Sequence, residues 1–228
     1  MKKLKYIFLL AGALSLASCE SWLDEDPQYT INTKTQFSTV ENARQALMGC
    51  YGYMSADNAY GQAWQEVTFG YCGFGWSQTN GSSTDLLVSM DGGIDETINT
   101  MAWRGMYKVI GETNAFIANI ADSPLESADK LPMEAAARFL RALAYYNLAV
   151  TYGDVPLKTT PSAHDGVAVP RSPKNEVFEL VRTDWEFAYE NLPEKDDDGF
   201  ATKWAAKAYL GKLYHTLGWH VSTAASDT

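Results

Sequence analysis

Apolar residues recur with a helical period most clearly between Glu134 and Leu157. Steps of four, three and four residues place them on one face of a helix. The residues on this face are Phe139, Leu143, Tyr146 and Val150. Pro132 indicates a start near that point, while Gly153 and Pro156 predict that the helix ends close to residue 152. The pattern therefore predicts a long central helix and a helical architecture.

Two further apolar residues, Leu140 and Ala144, widen this face. We therefore expect the central helix to be packed on more than one side. Arg138 and Arg141 are expected to flank the buried face without a chemical role. Residues 134–157 therefore indicate the fold and give no evidence of a catalytic reaction.

The same period predicts four more helices. They span residues 39–54, 101–121, 174–192 and 201–219. Ser38 and Glu41 match a capping box at the start of the first, and Pro173 fits the first position of the third. Asn114 falls on the apolar face of the second, so we expect it to be buried and hydrogen-bonded.

The order of the last three helices is typical of tetratricopeptide-like stacking, in which residues 134–152 pack on 174–192 and 201–219 follow. No strict 34-residue repeat fits the sequence. Small residues in the last helix permit close helix–helix approach. Trp103, Trp185 and Trp204 lie on apolar helical faces and are expected in the core.

Residues 55–100 lack a helical period and contain seven glycines, so we expect an irregular insertion. Six of the 17 residues from Tyr60 to Trp76 are aromatic, against 13% in the whole chain. No lysine or arginine occurs between Gln45 and Trp103. Long irregular segments often carry function, and this one is therefore the candidate binding segment.

The N-terminus has the three parts of an export signal. Three lysines precede a short apolar run, Ile7 to Ala17, and small residues then lead to Cys19. This order is typical of a bacterial lipoprotein signal, in which the thiol of Cys19 is acylated. The alternative is an ordinary secretory signal with an incidental cysteine. We predict a signal peptide over residues 1–18, an extended acidic tether over 19–36, and a helical domain over 37–228.

The net negative charge of the chain argues against binding partners that are themselves anionic. Removing residues 1–18 leaves 15 Lys and Arg against 28 Asp and Glu, a net charge of −13. Nucleic acid and anionic lipid head groups require a cationic surface, so we expect membrane attachment through acyl chains alone.

Cys50 and Cys72 could pair in an oxidising envelope, but Cys50 lies three residues after Leu47 on a helical face, which favours a packed thiol.

Six ordered segments together resemble the SusD/RagB family of outer-membrane nutrient-binding lipoproteins. They are CESWLDEDP, FSTVENARQALMGCYGYM, WRGMYKVIGETNAFIANI, EAAARFLRALAYYNLAVTYGDVPL, RSPKNEVFELVRTDWEFAYENLP and ATKWAAKAYLGKLYHTLG. The resemblance implies an all-α, tetratricopeptide-like scaffold. It also implies a surface lipoprotein that captures oligosaccharides without cleaving them and works with a TonB-dependent transporter of SusC type. Family members are commonly about twice this length, so we expect an N-terminal portion.

Sugar binding calls for aromatic platforms and a few planar polar groups. The insertion offers Trp64, Tyr71, Trp76, Gln78, Asn80 and Asp85. Trp76 and Asn80 are the strongest candidates, because their surroundings are polar and glycine-flanked. The lack of cations argues against anionic ligands at this segment. The alternative is that these aromatic residues only pack the insertion onto the helices.

Motifs for catalysis are missing from the sequence. The three histidines have no zinc-type spacing, and there is no G-x-S-x-G turn, phosphate-binding loop or dinucleotide fingerprint. We expect no catalytic residue, metal or cofactor. Two alternatives to glycan capture remain open. One is an envelope scaffold that binds proteins through its helices, and the other is a helical glycosidase using a pair such as Asp95 and Glu96.

Overall fold

The computed structural model describes residues 33–70, 72, 97–161, 169–196 and 199–226, with side chains from 35 to 218. The helices are α1 Thr33–Gln36, α2 Val40–Ser55, α3 Ala63–Gly70, α4 Thr97–Ala121, α5 Ser127–Tyr152, α6 Lys174–Asn191 and α7 Lys203–Ser226. A π-helical turn, Asp57–Gly61, interrupted by a non-helical backbone at Ala59, precedes α3. Strands β1 Val155–Pro156 and β2 Arg171–Ser172 form a short antiparallel pair. The all-α prediction is confirmed.

Helix α5 is the centre of the fold, as predicted, and packs against α4 on one side and α6 on the other. It ends where Gly153 adopts a φ of 74° and donates its N–H to the carbonyl of Ala149. The predicted start at Pro132 is wrong, because the helix begins at Ser127. So close to an N-terminus, a proline removes a single helical hydrogen bond. Val150, predicted on the buried face, is 50% exposed.

The start of α2 is displaced by one residue from the prediction. Thr39 is the N-cap, and its hydroxyl accepts the N–H of Asn42 at 3.2 Å. Ser38, the predicted cap, instead donates its hydroxyl to the carbonyl of Thr35 at 2.8 Å. That carbonyl belongs to α1, a helical turn in the stretch predicted to be an extended tether.

The prediction of an irregular segment over 55–100 is wrong at both ends. The π-helical turn and α3 occupy the beginning of this segment, and α4 already starts at Thr97. Helix α4 packs on the π-helical turn at Gly105, where an added Cβ would lie 1.9 Å from the carbonyl oxygen of Asn58. Only glycine permits this approach. Residue 71 and residues 73–96 lie outside the described part of the chain.

Helix α6 presents its predicted face to the core, and this prediction is confirmed. Val177, Val181, Trp185, Ala188 and Leu192 are all buried. Helix α7 packs on α6, so the predicted succession of helix pairs is also confirmed. The prediction for Trp204 is wrong, because its side chain is 51% exposed.

Side-chain contacts hold the connection between α6 and α7 against α2. Arg44 pairs with Asp196 at 3.2 Å and lies over the ring of Phe200 at 4.5 Å. The ring of Phe200 also packs on that of Tyr51, whose hydroxyl accepts the N–H of Ala201 at 2.8 Å. These contacts join residues about 150 positions apart in the chain.

The two described cysteines are both free, Cys50 buried and Cys72 exposed, so the prediction of a packed thiol is confirmed. Burial raises the pKa of Cys50 to about 12, with the negative charge of Glu112 acting in the same direction. None of the described helices has the length and apolar character needed to cross a membrane.

Candidate functional site

Most of the predicted binding residues lie outside the described part of the chain. These are Tyr71, Trp76, Gln78, Asn80 and Asp85. Trp64 is described, and its side chain is only 7% exposed. Its ring packs against that of Tyr60 with 6.4 Å between centroids. This placement corresponds to the packing alternative for Trp64, and the roles of the other five residues stay predictions.

A cavity of about 290 Å³ opens between α4 and the chain segments that flank the short strand pair. Its lining residues are Trp103, Tyr107, Ile110, Gly111, Asn114, Pro156, Lys158 and Val169. Trp103, Tyr107, Ile110 and Asn114 recur at helical spacing, so one face of α4 forms a wall. The segment after α5 and the residue before Pro170 complete the cavity.

Aromatic rings form part of this wall. Trp103 and Tyr107 are separated by four residues, and their ring centroids lie 5.0 Å apart. Tyr152, at the end of α5, meets Trp103 edge-to-face at 5.0 Å. Trp103 is only half-buried and lines the cavity, so its ring is held by two neighbouring rings and remains accessible to a ligand. A fixed aromatic ring of this kind can bind an apolar ligand face.

Side-chain hydrogen bonds hold the backbone of the cavity rim. The hydroxyl of Tyr107 donates to the carbonyl of Pro156 at 2.7 Å. The hydroxyl of Tyr145 donates to the carbonyl of Lys158 at 2.7 Å and accepts the N–H of the same residue at 2.6 Å. The amide of Asn114 donates to the carbonyls of Lys158 and Thr160. An irregular segment thereby obtains fixed geometry without regular secondary structure.

A buried charge network supports Asn114. The side-chain oxygen of Asn114 accepts from Arg141 at 2.8 Å, so its predicted burial and hydrogen bonding are confirmed. Arg141 also makes two 2.8 Å bonds to the carboxylate of Asp184, and Arg138 approaches the same carboxylate at 3.5 Å. The prediction that Arg141 flanks the buried face is wrong, because Arg141 is itself buried.

The sequence contains one signal that could have revealed this network. Asp184 follows Val177 and Val181 at helical spacing on the apolar face of α6. A carboxylate at such a position is buried only with a hydrogen-bonded cation. The sequence also contains several arginines, and nothing in the helical period identifies Arg141 as the partner.

The electrostatic surroundings of the cavity are cationic on one side. Burial raises the pKa of Tyr107, and the nearby Tyr145 hydroxyl adds to this effect, so Tyr107 stays neutral and donates to Pro156. The positive charge of Arg171 acts in the opposite direction. Arg171 lies opposite Pro156 in the strand pair, and Lys158 lines the cavity. Lys158 is therefore a lining residue, and Arg171 lies close enough for its charge to act on Tyr107.

Within the ranges described above, no group of three His, Cys, Asp or Glu side chains is arranged to hold a metal ion. The cavity is lined by aromatic, aliphatic and amide groups and one lysine. This composition suits the binding and orientation of a small ligand.

Comparisons with known proteins agree with this architecture. A curated SusD-like protein from Formosa agariphila, P25, is 26% identical over 223 residues, which cover 92% of this chain and 42% of that protein. A solved laminarin binding SusD-like protein has a TM-score of 0.67 and 25% identity, covering 82% of this chain and 42% of that one.

A second solved structure, determined with a xylogluco-oligosaccharide, has a TM-score of 0.63 and 26% identity, and it covers 74% of this chain and 34% of that one. The chain thus spans about two fifths of the length of the curated relatives that it matches. The SusD-like family model described as "Starch-binding associating with outer membrane" matches residues 21–215. With most of its length matched, the chain belongs to the SusD-like family.

Proposed function

We propose that this protein is a surface-exposed outer-membrane lipoprotein that binds oligosaccharide nutrients and passes them to a TonB-dependent, SusC-like transporter. Acyl chains on Cys19 anchor it, and the acidic stretch over residues 19–36 acts as a tether. The helical domain binds the glycan without cleaving it, and the transporter supplies the energy coupling.

The observation that carries this proposal is the aromatic-walled cavity on a SusD-like scaffold. Pyranose rings present apolar C–H faces bordered by hydroxyl groups, and a fixed indole ring matches such a face. Relatives of the same fold include one named as laminarin binding and one determined with a xylogluco-oligosaccharide. Both facts favour glycan capture over a protein scaffold.

The predicted residues Trp76 and Asn80 extend this proposal. In a binding surface built from two parts, the insertion supplies one platform and the cavity beside Trp103 supplies another. A longer oligosaccharide would then gain affinity by contacting both parts, because the second contact becomes intramolecular.

Affinity electrophoresis of the purified protein through gels containing laminarin or xyloglucan tests glycan binding. We expect retardation that is lost or strongly reduced in Trp76→Ala and in Trp103→Ala. Trp204→Ala is the matched control, because it removes an exposed tryptophan from a different helix. Circular dichroism checks that each variant is folded. A protein that is not retarded by any glycan in a broad panel would contradict the proposal.

The transporter and anchor require separate measurements. Affinity purification of the lipoprotein from solubilised envelopes should recover a large outer-membrane β-barrel protein. Metabolic labelling with a palmitate analogue should be abolished by Cys19→Ser, and surface proteolysis of intact cells should digest the wild-type protein. Labelling without a recovered barrel would keep the anchor and remove the transporter from the proposal.

A further inference from the structure

We propose that the cavity beside Trp103 binds a sugar ring that carries a carboxylate, with the ring on the aromatic wall and the acid group facing Lys158 and Arg171. This inference rests on the proposed function and specifies one of its ligands. It differs from the expectation for residues 55–100, where the lack of cations favours neutral sugars.

The size of the cavity limits the ligand to about one ring. Ligand pockets for drug-sized molecules run from about 300 to 1,000 Å³, and this one measures about 290 Å³. Trp103 offers a half-buried ring at the wall, while Ile110 and Val169 add aliphatic surface. A single pyranose ring, either a monosaccharide unit or one residue of a longer chain, fits this combination of size and surface.

The side-chain amide and hydroxyl groups of the cavity are already engaged. Asn114 uses both amide hydrogens on backbone carbonyls and its oxygen on Arg141. The carbonyl of Lys158 accepts from both Asn114 and Tyr145. The hydroxyl of Tyr107 is committed as a donor to Pro156. Recognition by amide and hydroxyl donors, the usual mode for neutral sugars, is therefore restricted at this position.

The cationic side chains of Lys158 and Arg171 differ from these hydrogen-bonded amide and hydroxyl groups. Among the residues that the structure describes, Lys158 and Arg171 form no ion pair, whereas Arg44, Arg138 and Arg141 each pair with a carboxylate. The neighbouring acid Asp154 accepts the backbone N–H of Lys174 at 2.8 Å, which holds the start of α6.

The two cations come from the two chain segments of the strand pair, one of which contains the lining residue Pro156. Lys158 follows β1, and Arg171 begins β2 directly opposite Pro156, two residues after the lining residue Val169. The effect of the Arg171 charge on Tyr107 is consistent with this proximity. A guanidinium and an ammonium contributed by these segments suit a planar carboxylate better than a hydroxyl group.

The test is isothermal titration calorimetry of the purified full chain with tri-galacturonate and with its fully methyl-esterified counterpart. The two probes have the same rings and hydroxyl groups, and the ester removes the charge. We expect tri-galacturonate to bind at least about tenfold more tightly than the ester, because a hydrogen bond to a charged group contributes about that much. Lys158→Met should weaken binding of the acid by a similar factor and leave that of the ester unchanged.

Arg104→Gln is the matched control, since it removes one exposed positive charge from α4. It should leave both affinities within about twofold of wild type, which excludes a general effect of net charge. The esterified probe keeps the test valid if Lys158→Met folds poorly, because the comparison of the two probes needs only the wild-type protein.

The outcomes separate this inference from the proposed function. Equal binding of acid and ester, or retardation by neutral glycans without any binding of tri-galacturonate, overturns the carboxylate inference and leaves glycan capture in place. Failure to bind every glycan overturns both. Preference for the acid that is lost in Lys158→Met but kept in Arg104→Gln supports the inference.

Discussion

Helices α5 and α7 are both rich in alanine and aromatic residues, yet their surroundings are very different. From Ala135 to Ala149, every residue of α5 except Arg138 is buried. In α7, the buried residues among the described side chains are Ala206 and Leu213. Trp204 and Tyr214 on α7 are about half exposed.

The difference comes from neighbours rather than from the helices themselves. Helix α5 lies between α4 and α6, so each of its sides meets another apolar face. Helix α7 packs mainly on α6. Its Tyr209 ring lies 5.2 Å from that of Trp185, and the hydroxyl of the half-exposed Tyr214 donates to Glu186 at 3.3 Å. Helical periodicity identifies an apolar face, but the number of helices that cover it is a tertiary property.

The largest expected effect concerns the charge buried in α5. Asp184→Asn leaves the guanidinium of Arg141 buried without its carboxylate, which should lower the free energy of unfolding by about 3–5 kcal/mol. Glu186→Gln is the matched control, because Glu186 lies on the same helix and forms a partly exposed pair with Arg182. It should cost less than about 1 kcal/mol. Urea denaturation measures both, and similar small losses would contradict the network described here.

The second prediction concerns the contact between α6 and α7. Ala206 is fully buried, whereas Ala208, two residues later, is exposed. Ala206→Leu forces extra volume into a close-packed contact and should lower the free energy of unfolding by about 1–3 kcal/mol. Ala208→Leu should change it by no more than about 0.5 kcal/mol. If both variants behave alike in urea denaturation, α7 does not pack on α6 as described.

Local signals in the sequence predicted much of the fold. The glycine that ends α5, the apolar face of α6 and the buried amide of Asn114 were all predicted correctly, because each depends on a few neighbouring residues. Pro132 predicts a later start for α5 than the structure shows, because the helix already begins at Ser127. Proline near a helix N-terminus is also compatible with a few preceding helical residues.

The site was less predictable because its parts are distant in the chain. The cavity combines a face of α4 with residues near 156 and 169. The position of Trp103 on an apolar face predicts a place in the core, whereas the structure places its half-buried side chain in the cavity wall. Arg141 meets a carboxylate 43 residues away, a distance that no helical period encodes. The proposed roles of Trp76 and Asn80 lie outside the described residues and stay predictions.

The third prediction uses the pH dependence of stability to test the burial of Cys50. Burial raises the pKa of Cys50 on α2 to about 12 in the folded protein, so the folded state keeps this proton while the unfolded chain loses it. Stability from this group is therefore complete below the ordinary thiol pKa and falls as the pH rises toward 12. At pH 10.5 the loss should be about 2 kcal/mol. Tyr51 and Tyr60 have pKa values raised to about 12 by burial and act in the same direction.

Cys50→Ala isolates the contribution of the thiol. Urea denaturation under reducing conditions at pH 7.5 and pH 10.5 should show a smaller loss of stability in the variant than in the wild-type protein, by about 2 kcal/mol. Parallel pH profiles for the two proteins would mean that the thiol of Cys50 is not buried in a way that disfavours its anion.

The smallest expected effect belongs to the exposed face of α7. Trp204 is half exposed, and the ammonium groups of Lys203 and Lys207 lie 4.9 and 5.9 Å from its ring. Exposed cation–π contacts contribute about 0.5–1 kcal/mol, so Trp204→Ala should lower the free energy of unfolding by no more than about 1 kcal/mol. Trp185→Ala, which empties a fully buried site between α5 and α7, should cost about 3–5 kcal/mol. A loss in Trp204→Ala as large as that in Trp185→Ala would mean that the outer face of α7 is covered in solution, and the contrast between the two helices would then disappear.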